Sequence, residues 1–217
     1  MKKIIPVLAV TALLATGCAP STKVNEKKFN DEVPGYACVL NRNAIYEGEA
    51  SLGVMTMQFK IETNSDGEKL NLHSTLKYVG DEDVEVDNMQ FYLIGEVKEN
   101  KFAGKMYMYE GSWGVQDLAE LPMKELRDSL FEFTYLAPVE YKDTKYDSKE
   151  KAYTFDKYTI AVPGESKTML IRDGKLAFKG GELVSWEYSM SVETETVKLS
   201  IERTQKGKVE VKAPTVA

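Results

Sequence analysis

The chain has 217 residues, 43% hydrophobic and 29% charged, with a formal net charge of −6. That balance is ordinary for a globular protein, and the acidic excess repels phosphate backbones and anionic headgroups, which argues against nucleic-acid binding and electrostatic membrane docking. One histidine and two cysteines exclude the usual nitrogen and sulfur sites for first-row metals and any disulfide framework, and no motif calls for a cofactor.

The chain opens Met1-Lys2-Lys3, followed by an apolar run from Ile4 to Ala15 that Pro6 interrupts. A positive start, about a dozen apolar residues and small residues beyond them form a secretory signal. The run is shorter than the ~20 residues needed to cross a bilayer. Leu14-Ala15-Thr16-Gly17-Cys18 resembles the bacterial lipobox, in which small residues precede a cysteine that receives diacylglycerol on its sulfur. The match lies in Thr16, Gly17 and Cys18; Ala15 stands where a larger aliphatic residue is usual. The resemblance implies cleavage before Cys18 and a lipid-anchored, extracytoplasmic protein on the cell membrane or outer membrane. Each buried CH₂ contributes ~0.8 kcal/mol, so two or more palmitate-like chains anchor stably where one does not.

This reading divides the chain into a signal peptide at 1–17, the lipidated cysteine and tether at 18–35, and a single β-rich domain at 36–217. Loss of the signal removes Lys2 and Lys3, which takes the net charge from −6 to −8. Ala19-Pro20-Ser21-Thr22-Lys23 reads as flexible tether, and Val24 to Glu32 as a short helix or irregular coil.

From residue 36 onward the dominant pattern is the period-2 alternation of half-buried strands. Met55, Met57, Phe59 and Ile61 share a face; Asn64-Ser65-Asp66-Gly67 turns the chain; Leu70, Leu72, Leu76 and Tyr78 run back. Met89 to Ile94 pairs with Phe102 to Tyr109 across Glu99-Asn100. Tyr153 to Val162 precedes Met169 to Ile171, and Asp173-Gly174 and Gly180-Gly181 punctuate the later strands. Trp186, Tyr188, Met190 and Val192 share a face, as do Val197, Leu199 and Ile201. Gln205-Lys206-Gly207 turns into a last strand, Lys208 to Lys212.

One principal helix is predicted at 121–133, where Leu126, Leu130 and Phe133 fall at helical spacing and Pro122 suits a first turn. About ten strands with one such helix predict a mainly β fold: a large, curved, half-barrel-like antiparallel sheet with the helix packed on its concave face.

Most chemistry-bearing residues have a plain structural role. His73 alternates with the leucines of its strand and belongs to the solvent face. Cys38, once Cys18 is lipidated, is either a reactive thiol or a small buried residue in a strand, and burial suits it better. Asp81-Glu82-Asp83-Val84-Glu85-Val86-Asp87 offers oxygen ligands to calcium but lacks the glycine and spacing of an EF-hand loop, and a charged sheet edge explains it more simply. No nucleophile elbow accompanies His73, and no catalytic residue or enzymatic activity is expected. Large flexible apolar side chains are abundant, and in Lys105-Met106-Tyr107-Met108-Tyr109 both faces carry them. Either the outer face is covered too, or the concave face forms a hydrophobic pocket.

The order of elements resembles the LolA-like half-barrel of lipoprotein carriers and lipid-binding envelope lipoproteins. It is carried by the strand Lys105 to Trp113 with its Tyr109-Glu110-Gly111-Ser112-Trp113 step, the helix after it, and Lys208-Val209-Glu210-Val211-Lys212-Ala213-Pro214 at the end. The long N-terminal helix of that family has only a short counterpart at Val24 to Glu32. The resemblance implies non-catalytic binding of a hydrophobic small molecule, an acyl chain or lipid, with Met106 and Met108 in the pocket and Met123, Leu126 and Leu130 as the lid. The rival expectation is an envelope or surface protein-interaction module without a small ligand, using outward tyrosines such as Tyr107, Tyr109 and Tyr188.

Overall fold

The computed structural model describes residues 23–33, 42–52, 55–79, 89–126, 130, 139–161, 168–192 and 195–216. Cys18, Cys38 and the acidic run 81–87 lie outside them.

The first element, α1 (Glu26–Glu32), is started by Asn25, whose side-chain oxygen accepts the Lys28 N–H at 2.9 Å. Seven residues cannot sustain a helix in water. Tertiary packing sustains this one: Phe29 is fully buried, with its ring 5.1 to 5.7 Å from those of Tyr153, Tyr141 and Phe178. Val24 and Val33 are buried as well, so residues 24–33, expected in the tether, belong to the core of the domain. The expectation came from the shortness of the apolar pattern there; the helix commits just one aromatic side chain.

Eleven antiparallel strands complete the described fold: β1 (Asn43–Leu52), β2 (Met55–Asn64), β3 (Lys69–Val79), β4 (Met89–Lys98), β5 (Lys101–Tyr109), β6 (Trp113–Pro122), β7 (Lys145–Asp147), β8 (Ala152–Ala161), β9 (Thr168–Lys179), β10 (Glu182–Val192) and β11 (Glu195–Lys206). They form one sheet in the order β6-β5-β4-β3-β2-β1-β11-β10-β9-β8-β7, two meanders joined by β1 on β11, with β6 and β7 as its edges. Inward residues of strands across the sheet, from Phe102 to Phe155, share one core cluster. So many strands converge on one core only when the sheet curls.

The predicted hairpins are present. Asp66 accepts the N–H groups of Glu68 and Lys69, and Gly67 takes φ 92°. Glu99 and Asn100 turn β4 into β5 with positive φ at both, as do Gly180 and Gly181 between β9 and β10.

Four local expectations are corrected. Leu121 and Pro122 are not helical: they end β6, paired with Phe102 and Lys101, and the helical turn begins at residue 123. On an edge strand the missing N–H of proline costs little, so pairing with β5 prevails. Lys208 to Lys212 adds no strand; β11 is the last strand along the chain. Tyr188 faces inward and is buried. Asp173-Gly174 separates no strands but lies inside β9, where Asp173 takes φ 56° and the register against β10 shifts.

The bulge sets Gly174 under the Phe155 ring, where an added Cβ would sit 1.8 Å from a ring carbon. Gly174→Ala is therefore expected to cost about 1–3 kcal/mol by displacing Phe155, read as a lower urea midpoint with unchanged slope.

Candidate functional site

The two ends of the curled sheet differ. At the end carrying the Asp66-Gly67, Glu99-Asn100 and Gly180-Gly181 turns, α1 and the turn at 123–126 plug the concavity. Glu32, buried on α1, accepts from Lys28 Nζ at 3.0 Å, from Arg42, and from the Leu183 N–H at 3.2 Å, which fastens the helix to the start of β1 and β10. The Met123 N–H donates to the Asn100 carbonyl at 3.0 Å, and Met123, Leu126, Leu130 and Val139 are buried. Between Val33, Val139, Leu176 and Trp186 only about 10 Å³ is left.

Toward the opposite end the described inward residues of β3, β4, β5 and β9 become less buried, while Ala50 on β1, Met190 on β10 and Val197 on β11 stay buried. On β3, Leu70 and Leu72 are fully buried while Leu76 and Tyr78 are half-buried. The same decline runs from Leu93 to Met89 on β4, from Phe102 to Met106 and Met108 on β5, and from Ile171 to Met169 on β9.

Where cover ends on the β3–β5 side, a cavity of about 310 Å³ opens, lined by Leu76, Tyr78, Met89, Phe91 and Met108, with Ser74, Gln90 and Glu110 as its polar groups. Beside it, and sharing Met108 and Glu110, lies a depression of about 400 Å³ against Met106, Trp113 and Gln116. The 310 Å³ cavity, with a few polar groups in an apolar lining, has the size and character of a small-molecule site, whereas the depression beside it is lined mostly by polar atoms. A larger depression of about 630 Å³ lies among charged residues of both signs, with Glu47, Glu49, Lys60, Lys77 and Glu202 around Gly48 and Phe59.

The structure therefore divides the anticipated pocket residues. Met106 and Met108 line the open region, joined by Leu76, Met89 and Phe91. Met123, Leu126 and Leu130 sit in the plug and line none of these cavities. Period-2 alternation showed which face Leu76 and Met89 occupy, but not which end of the sheet stays uncovered.

The outer face holds a second cluster. Register places Glu62, His73, Tyr92 and Tyr107 in line across β2 to β5. His73 is on the face opposite the leucines, as its phase predicts, yet well covered. Its Nδ1–H donates to Glu62 Oε2 at 2.8 Å, and its ring stacks on Tyr92 at 4.0 Å and 10°. The proton is assigned to Nδ1 because a carboxylate only accepts. His73 Nε2 is buried with no hydrogen-bond partner among the described residues. With one ring face against Tyr92 and Nε2 enclosed, the pair ties strands together and offers no open base. Tyr92 and Tyr109 approach Trp113 at 5.7 and 5.2 Å, and Val115 beside them is 46% exposed.

Burial raises the Glu62 carboxyl, but hydrogen bonds from Lys60 and His73 outweigh it and hold the group below its ordinary value. A depressed carboxylate contributes stability that is present above its unfolded-state pKa, about 4.3, and is lost as pH falls through the folded value. The denaturant midpoint of Glu62→Gln should therefore fall less on acidification from neutral pH than that of the native protein.

Among the described residues no group of three or more His, Cys, Asp or Glu is placed to hold a metal, and no described helix is long and apolar enough to cross a membrane. Comparison with known proteins returned no matching family model and no matching curated relative.

Proposed function

We propose that the chain is a lipid-anchored extracytoplasmic lipoprotein that binds one hydrophobic ligand, an acyl chain or lipid, at the open end of its half-barrel, without catalysis. The observation that carries this reading is the half-exposed apolar cavity at Leu76, Met89, Phe91 and Met108, at the end away from the plug. Water gains nothing by staying on such a lining. Each Å² removed from water contributes roughly 25 cal/mol, so covering about 200 Å² would supply about 5 kcal/mol before the cost of association. Unbranched, polarizable methionines fit chains of varying shape. The lipobox resemblance supports the reading, since a lipid anchor would hold the domain at a membrane, where such ligands reside. Native mass spectrometry of residues 19–217, followed by organic extraction, tests the reading. A copurifying lipid or displaceable fatty-acid probe is expected; a ligand-free protein that binds no probe contradicts it.

A second reading is supported by the outer face, where Tyr92, Tyr109 and Trp113 cluster near the β6 edge. Such a patch suits an envelope protein partner. Affinity capture from intact cells separates the two: a protein partner lost in Trp113→Ala, with no lipid bound, favours this module.

A further inference from the structure

We infer that Cys18 holds the plugged end of the half-barrel toward the membrane, so that the apolar mouth opens away from the bilayer carrying the protein and its ligand enters from the aqueous side. The inference rests on the lipid-anchored, ligand-binding reading above. Its basis is where the tether ends. The Val24 N–H donates to Tyr153 Oη at 3.0 Å, the Tyr153 O–H donates back to the Val24 carbonyl, and Val24 is buried. One residue earlier, the Lys23 ammonium lies 5.8 Å from the Tyr146 ring centroid. Tyr153 is the second residue of β8, and so belongs to the plugged end, beside the β7 edge.

Five residues lie between Cys18 and Val24, six steps along the chain. Fully extended, those six steps reach about 20 Å. The strands are ten or so residues long, which at 3.3 Å per residue and a barrel-like tilt gives about 25 Å from end to end. Turning the mouth onto the anchoring bilayer would lift Val24 by that height, beyond the tether's reach. Keeping the plugged end down needs no extension.

Amine labelling of the lipidated protein in phosphatidylcholine vesicles, compared with unlipidated Cys18→Ser protein in solution, tests this. Lys149 and Lys179 are exposed at the plugged end, and Lys77 and Lys198 toward the mouth. Labelling of Lys149 and Lys179 is expected to slow at least threefold in vesicles, with Lys77 and Lys198 changed less than twofold. Inserting twenty Gly/Ser residues after Ser21, which lengthens the average reach to about 28 Å, should abolish the protection. Protection at Lys77 and Lys198, or equal labelling at both ends, overturns the inference. Vesicle flotation reads the anchor and fatty-acid probe binding by Cys18→Ser reads the cavity, so failure of either underlying reading is seen separately from failure of the orientation.

Discussion

Phe29→Ala is expected to lower the unfolding free energy by about 3–5 kcal/mol, the range for removing a large side chain from a closed core. Phe29 is fully buried among Tyr141, Tyr153 and Phe178, on a helix too short to form alone. The lost ring would leave a void beneath the plug and loosen α1, which Glu32 and Val24 also fasten. Urea denaturation followed by circular dichroism measures the effect. A change below about 0.5 kcal/mol, as for a surface residue, would mean that residues 24–33 are tether after all.

The second large effect concerns binding. Met89→Glu with Met108→Glu is expected to weaken binding of a fluorescent fatty acid at least tenfold, about 1.4 kcal/mol. Each carboxylate would lose water when an apolar chain covers it, and would repel the probe's own carboxylate. Both methionines are half-buried at the open end, so stability should change by no more than about 1 kcal/mol. Titration of the probe alongside urea denaturation checks both halves of the expectation. Undiminished affinity in the folded double variant would exclude this cavity as the site.

Much of the fold was legible because a half-buried sheet writes its period into the chain. The face shared by Leu70, Leu72, Leu76 and Tyr78, the Asp66-Gly67 turn, and the pairing of Met89–Ile94 with Phe102–Tyr109 follow from alternation and turn chemistry. Three features escaped that logic. Asp173-Gly174 looked like a turn because positive φ serves a bulge as readily as a hairpin, and only the Phe155 ring distinguishes them. Tyr188 looked outward because a tyrosine suits either face, whereas its register beside Leu199 places it inside. Pro122 looked like a helix start because the pairing that keeps it in β6 is non-local.

The candidate site was legible in kind but not in place. Methionine-rich strands pointed to an adaptable apolar surface; Met108 lines the apolar cavity, and Met106 lines the more polar depression beside it. That Met123, Leu126 and Leu130 would plug one end, leaving Leu76, Met89 and Phe91 at the other, depends on where the chain returns after β6. Likewise, nothing local announced Glu62 as the partner of His73; the two meet only through the β2–β3 register.

Methionine methyl NMR of residues 19–217, titrated with a long-chain fatty acid, is the sharpest test of ligand binding at the open end, because methionines occur at both ends of the concavity. Saturable shifts are expected at Met89, Met106 and Met108, with Met123 in the plug unmoved. Shifts confined to Met123, or none at any methionine at saturating fatty acid, would contradict binding there.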